Sequence, residues 1–281
     1  QPINRTALNT SLLCGSSGME SRRKNVKGFL HKTKEFEIPG LDASRPLTVY
    51  LPPDYKTSYR HYPIAYMFDG QNLYEDEGTF AGGWHVHKIL NQRAVASQSI
   101  PIVVGIHHGP DREVEMAPWP AFPGRPARGE EKLNWLIHEL HPQLKTELRI
   151  LDGLEHVMVG GSSLGGLLAL YAFFRYQTFF GRALVMSPAL WLDRGHIFSY
   201  ISETRLLQPN RRRLYIDAGG KEACECHGDI ALQLTHYLVD LLEAKGLIPD
   251  KEFLWNPDPE GYHNEKDWHR RLPTALQFLY D

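Results

Sequence analysis

Residues 157–172 read Val-Met-Val-Gly-Gly-Ser-Ser-Leu-Gly-Gly-Leu-Leu-Ala-Leu-Tyr-Ala, and no other stretch limits the fold as tightly. The segment opens as an apolar, β-branched run. It passes through Gly161, Ser162, Ser163, Leu164 and Gly165, then turns apolar at helical spacing. That is strand, sharp turn and helix, with a G-x-S-x-G pattern at the turn. A serine in the middle of such a turn sits on strained backbone. Its neighbours two residues away must therefore be nearly free of side chain if strand and helix are to pack closely. Gly161 and Gly165 meet that need, and Gly166 lets the helix come closer still. Ser163 then stands at the sheet edge, at a helix N-terminus, where free N–H groups and the helix dipole favour a developing oxyanion. Glycine-rich strand–helix turns also cradle phosphate, so the pattern alone leaves a nucleophile and an anion cradle both open. The strand before and the helix after favour the nucleophile.

Composition bounds the rest. The chain has 281 residues, 42% hydrophobic and 23% charged, an ordinary globular balance. Its length fits one large α/β domain. Lys and Arg (31) nearly cancel Asp and Glu (33), and no basic block suggests nucleic acid. Three cysteines, Cys14, Cys224 and Cys226, argue against a disulfide framework. No apolar run reaches membrane-spanning length. No charged n-region followed by a long apolar stretch is visible, which reads as a cytoplasmic chain, although a leader preceding Gln1 stays open. Asn4 and Asn9 head glycosylation-type triplets, a pattern common by chance.

Taken in order, residues 1–30 are polar, with a basic cluster at residues 22–24, and read as a flexible arm. Residues 31–281 then read as a single domain. Residues 36–38 and 47–51 alternate like strands of a half-exposed antiparallel edge. Residues 63–68 and 102–106 are near-continuous apolar runs, the mark of buried central strands. A helix is expected to open at Gly82. A proline-rich loop follows residue 106, and residues 130–148 carry leucines and isoleucine at helical spacing. Beyond the Ser163 turn, strands are expected at 182–186, 213–217 and 253–255. Helices are expected from 230 to Gly246 and from 268 to 280. Strands alternating with helices predict a mostly parallel sheet covered on both faces, with its site beyond the carboxyl ends of the strands.

A serine nucleophile needs a base, and the base an orienting acid. In elbow-type hydrolases these follow in the order serine, carboxylate, histidine. His263 lies in the loop after the last strand, behind Gly261; His269, on the final helix, is the poorer candidate. Glu222 lies in the loop beyond the preceding strand, where it can reach an imidazole. Asp217 is closer to that strand and is the second choice, and Asp229 reads as a helix cap. An oxyanion hole would combine the N–H of Leu164 with that of Gln71, in the turn after the first buried strand. Trp84, Trp119, Trp191 and Arg112 are candidates for a substrate cleft, Trp191 foremost, because it follows a strand at the catalytic edge. His85 with His87, and Cys224 and Cys226 with His227, lack the spacing of a metal site. No metal or organic cofactor is expected.

Several stretches together carry a more specific signal. They are residues 50–55 (Tyr-Leu-Pro-Pro-Asp-Tyr), 67–74 (Met-Phe-Asp-Gly-Gln-Asn-Leu-Tyr), 160–167, 187–191 (Ser-Pro-Ala-Leu-Trp), 217–222 (Asp-Ala-Gly-Gly-Lys-Glu) and 261–265 (Gly-Tyr-His-Asn-Glu), with Trp268 following. In these the chain resembles the putative esterase family of α/β-hydrolases, which includes enterochelin esterases, feruloyl esterases and esterase D-like enzymes. The resemblance runs from about residue 35 to the C-terminus. It implies the α/β-hydrolase fold, a nucleophile at Ser163, a histidine at His263 and an acid at Glu222. The expected activity is hydrolysis of a small or medium carboxylic ester through an acyl-enzyme. Two alternatives remain at this point. One is an acyltransferase of the same fold. The other is an idle hydrolase fold that serves as a binding module.

Overall fold

The computed structural model describes residues 26–281 except 34, 42, 78, 80, 81, 122 and 224–228. Most of the expected N-terminal arm, Cys14, Asn4 and Asn9, and the Cys224, Cys226 and His227 cluster lie outside the described residues. The described residues form ten strands: β1 (Phe29–Lys32), β2 (Phe36–Ile38), β3 (Ala43–Arg45), β4 (Leu47–Leu51), β5 (Ile64–Phe68), β6 (Ile102–Ile106), β7 (Val157–Ser162), β8 (Arg182–Met186), β9 (Arg213–Gly219) and β10 (Phe253–Asp258). Eight form one sheet in the order β1-β4-β6-β5-β7-β8-β9-β10. From β6 to β10 every pairing is parallel, and β4 and β1 close one edge antiparallel.

The helices are α1 (Val86–Val95), α2 (Arg112–Met116), α3 (Gly129–Trp135), α4 (His141–Glu147), α5 (Leu164–Arg175), α6 (His196–Glu203), α7 (Ile230–Ala244) and α8 (Glu265–Tyr280). The central strands are buried on both faces and show how period-two alternation divides a core. On β5, Ile64, Tyr66 and Phe68 point to one cluster, which also holds residues of α3 to α7. Ala65 and Met67 point to the other, with α1 and α8. Every residue of α5 from Leu164 to Phe174 is buried, as a helix apolar all round its circumference must be.

Several expectations need correction. The antiparallel edge starts at Phe29, inside the segment read as a flexible arm. Three of the four residues of β1 are exposed, so the strand carries little hydrophobic signal. Residues 36–38 do not join the main sheet. The chain turns back through Gly40 at φ +83°, and β2 pairs locally with β3. Helix α1 opens at Val86 rather than at Gly82, because His85 holds φ +50°. The single helix expected over 130–148 is interrupted by a π turn at Leu136–Leu140. Pro142, just past it, has no N–H to donate to the preceding turn. Among the described residues, no helix is long and apolar enough to cross a membrane.

One buried ion cluster ties the small hairpin to the helical layer. Lys132 is fully buried, with its Nζ 2.9 Å from Glu115 Oε2, and Glu115 Oε1 is paired with Arg45 of β3. An uncompensated charge there would be costly, and this geometry pairs all three.

The glycines of the turn can be tested for what their missing side chains permit. A Cβ on Gly161 would lie 2.8 Å from the backbone carbon of Gly165, and one on Gly166 would lie 2.9 Å from Met186 O. A Cβ on Gly165 would meet Asp69 Oδ2 and Phe68 Cβ, both at 3.2 Å. Gly161→Ala therefore forces backbone apart and should cost about 1–3 kcal/mol, visible as a lower urea midpoint at unchanged slope. Gly165→Ala, which meets side-chain atoms, should cost less. The reverse order would show that the strand–helix contact is not the tight one.

Candidate active site

β7 ends at Ser162 and α5 begins at Leu164, so Ser163 alone makes the turn. Its backbone sits at φ +58°, ψ −123°, a conformation that costs a non-glycine residue on the order of 1–3 kcal/mol. Backbone contacts hold it there. The Ser163 N–H donates to Met186 O (3.1 Å), and Ser163 O accepts from the N–H groups of Ala189 (3.0 Å) and Leu167 (3.0 Å). The strained serine is thus pinned between the first turn of its own helix and the loop that leaves β8.

That loop leads to the candidate acid and base. Glu222 follows β9 and His263 follows β10, neighbouring parallel strands whose C-terminal ends open on the same edge. Glu222 Oε2 lies 3.0 Å from His263 Nδ1. Its other oxygen, Oε1, accepts from the Gly219 N–H (2.5 Å) and from the Ser187 hydroxyl (2.5 Å). Burial by itself would raise the Glu222 carboxyl. The hydrogen bonds from His263, Ser187 and Gly219 and the neighbouring imidazole outweigh it and hold the carboxyl below its usual value. The His263 ring stands edge-on to Trp268 at 5.2 Å. With Nδ1–H turned to a carboxylate, Nε2 is left as the acceptor. Ser163 Oγ has no hydrogen-bond partner among the described residues; in enzyme sites a bond from nucleophile to base often closes only around substrate.

Asp217, the second choice for the acid, is completely buried. It accepts from the Ser187 N–H (3.0 Å) and the Tyr215 hydroxyl (3.1 Å), and its Oδ2 lies 3.3 Å from Arg271 Nε. Burial pushes its carboxyl up to about 7, against the pull of Arg271. No hydrogen bond or ion pair joins it to His263.

Gln71 lies in the 3₁₀ turn after β5, entered through Asp69 at φ +56°. Its side chain spans to the next loop: Oε1 accepts from the His108 N–H at 3.2 Å, and Nε2 donates to His108 O at 3.4 Å. Leu164 is the first residue of α5, so its N–H has no carbonyl within the helix to bond. Arg112 falls in the first turn of α2, not in an open loop. Its Nε and Nη2 bind both oxygens of buried Asp69, at 2.8 and 2.7 Å. Asp69 in turn lies against Gly165, so this bidentate pair braces the serine turn from below.

The three tryptophans separate. Trp191 is 62% exposed, two residues beyond the Ala189 contact to Ser163. Trp84 is 2% exposed and packs on Trp268 with ring centroids 5.5 Å apart, so it belongs to the core behind the His263 loop. Trp119 packs on Tyr171 and His196. His269 donates from Nδ1 to Trp84 O and does not reach Glu222. His85 and His87 are each set beside their own carboxylate, Asp76 and Glu75. Sequence reasoning missed Ser187, Asp69 and Arg271. Each acts through a partner far away in the chain; Ser187 and Asp69 lie in the family-like stretches 187–191 and 67–74, but nothing local gives them a role.

The family comparison adds to this geometry. The sequence profile of the family described as Putative esterase matches residues 38–279. The chain is similar to an uncharacterized protein, YbbA, of Bacillus subtilis (strain 168), at 25% identity over 246 residues, 84% of this chain and 93% of that one. Among solved structures it resembles an IroE-like serine hydrolase from Shewanella oneidensis, with a TM-score of 0.74, 20% identity and coverage of 90% of this chain and 80% of that one. It also resembles a ferulic acid esterase, with a TM-score of 0.69, 17% identity and coverage of 91% and 99%. With a profile match across nearly all of the sheet and a strained serine at the end of its central strand, the chain belongs to the Putative esterase family and is an esterase of α/β-hydrolase fold.

Proposed function

We propose that Ser163, His263 and Glu222 act as a catalytic triad on a carboxylic ester, through an acyl-enzyme. The observation that carries this reading is the 3.0 Å pair of Glu222 and His263 at the sheet edge where Ser163 is held in its strained turn. Residues 31–281 serve as one catalytic domain, to which β1 adds its first two residues. His263 Nε2 takes the proton of Ser163 as the hydroxyl attacks the ester carbonyl. The N–H groups of Leu164 and Gln71 hold the oxyanion, each such donor contributing about 3 kcal/mol. Glu222 keeps the imidazole in the required tautomer and stabilises the imidazolium. His263 then protonates the departing alcohol, and water releases the acyl group by the same route. Asp217, with no path to His263, supports the acid from behind.

The substrate we propose is an ester with an aromatic group. The broad exposed face of Trp191 beside the serine turn supports it, as does exposed Tyr262 next to His263. The fold is shared with a protein described as a ferulic acid esterase. The free edge of the Arg112 guanidinium serves as a secondary polar contact. Trp84 is left out of the binding surface because it is buried.

Three measurements test this reading. Ser163→Ala should lower turnover of p-nitrophenyl and feruloyl esters by roughly 10⁴-fold or more and abolish labelling by a fluorophosphonate; a variant as active as wild type would remove Ser163 as nucleophile. Glu222→Gln should lower kcat by on the order of 10²- to 10⁴-fold, and Asp217→Asn by much less; the opposite ranking would make Asp217 the acid. The pH profile carries a sign. The Glu222 carboxyl is held low, so it stays ionised where a free carboxylate begins to take protons. Activity that depends on ionised Glu222 should therefore persist to a pH at which a free carboxylate would already be protonated, and Glu222→Gln should lose that component of the acid limb.

A further inference from the structure

Ser187 follows β8 at φ +43°, a left-handed conformation that serine rarely takes, and is 2% exposed. Its hydroxyl is fully engaged. Trp268 Nε1–H donates to it at 2.9 Å, and Arg271 Nη2–H donates to it at 2.9 Å. A hydroxyl has two lone pairs and one hydrogen. Both donors are obligate, since an indole N–H and a guanidinium accept nothing. The lone pairs are therefore filled, and the one hydrogen is left for Glu222 Oε1, 2.5 Å away.

From this geometry we infer that Ser187 is a positioning residue that keeps the charge of Glu222 for His263 by standing between that carboxylate and Arg271. The inference rests on the triad reading above. Arg271 Nη2 lies 3.6 Å from Glu222 Oε1, too long for a hydrogen bond, with the serine hydroxyl bridging the gap. Arg271 faces three carboxylates, Asp217, Glu222 and Asp258, and is itself 3% exposed. If the guanidinium collapsed onto Glu222 it would neutralise the carboxylate that stabilises imidazolium. Ser187 prevents this in two ways. Its oxygen holds the guanidinium at a distance, and its proton occupies Oε1, so that Oε2 remains aimed at Nδ1. The Ser187 N–H also fixes Asp217, the carboxylate that balances Arg271 from the other side. Other charged groups near His263 are Glu265, which is coupled to Asp69 and Arg112, and Asp267 and Lys221 beside Tyr262; none of them has a hydrogen bond to Ser187.

The test uses the full chain with Ser187→Ala and Ser187→Gly. Glycine tolerates φ +43°, so the second variant removes the hydroxyl with no backbone penalty. Rates are expressed per site titrated with a fluorophosphonate, which counts only folded enzyme. Both variants should lose roughly tenfold in kcat, the equivalent of one charge-assisted hydrogen bond, with KM for a p-nitrophenyl ester within about twofold. Their acid limb should also move away from that of wild type, because the Ser187 bond helps hold Glu222 low, and the low-field proton resonance of the His263–Glu222 bond should move upfield. A purely structural role would lower the titratable fraction and leave the acid limb and the resonance unchanged, and that result would overturn the inference. Ser163→Ala is run beside them. If it retains turnover, the triad reading itself fails. If it loses turnover while both Ser187 variants keep the wild-type acid limb, only the role of Ser187 falls.

Discussion

Everything at the site depends on how closely β7 and α5 approach each other. The two elements touch backbone to backbone at Gly161 and Gly165, and that contact leaves the connecting residue a single conformation. Ser163 pays for it in torsional strain, and the surrounding backbone hydrogen bonds to Met186 and Ala189 keep it from relaxing. The same contacts fix the loop after β8, which presents Trp191 on one side and Ser187 on the other. Below the turn, the Asp69–Arg112 pair fills the space that the Gly165 side chain would need.

The acid–base half is organised by charge rather than by packing. Arg271 sits among Asp217, Glu222 and Asp258 with almost no exposure to water. Glu222, held below its usual value, faces the imidazole directly, so in the proposed mechanism a positive charge on His263 would meet a carboxylate already in place. Arg271 Nε, although 3.3 Å from Asp217, makes no well-directed hydrogen bond, so the attraction there is one of charge and proximity. Ser187 supplies the directionality that the guanidinium lacks.

Much of this was legible in the sequence because it is local. The glycines around Ser163 declare the turn, β-branched runs at 102–106 and 157–159 declare buried parallel strands, and the order of Ser163, Glu222 and His263 follows the order of the strands that carry them. What stayed hidden depends on pairing through space. Ser187 and Arg271 are 84 residues apart and meet only once α8 packs under β8 and β9. The Asp69–Arg112 bond joins two loops, and in sequence it looks like a turn residue and a free cation. Trp84 and Trp191 look alike as aromatic residues near the strand ends, and only the packing of Trp268 separates the buried one from the exposed one. Strand β1 was hidden for the opposite reason, since an exposed edge strand needs no hydrophobic pattern to form its ladder.

That β10 and α8 follow β5 to β8 in the chain has a consequence for biosynthesis. Ser163 is made well before the segment that carries the proposed base, His263, and Arg271 of the acid cluster. Strands β5 to β8 can pair and the serine turn can lock while that segment is still unsynthesised. Up to that moment the nascent protein would hold the proposed nucleophile in its turn with the proposed base not yet made. Docking of α8 then brings His263, Trp268 and Arg271 into place together, which completes the proposed triad and its surroundings.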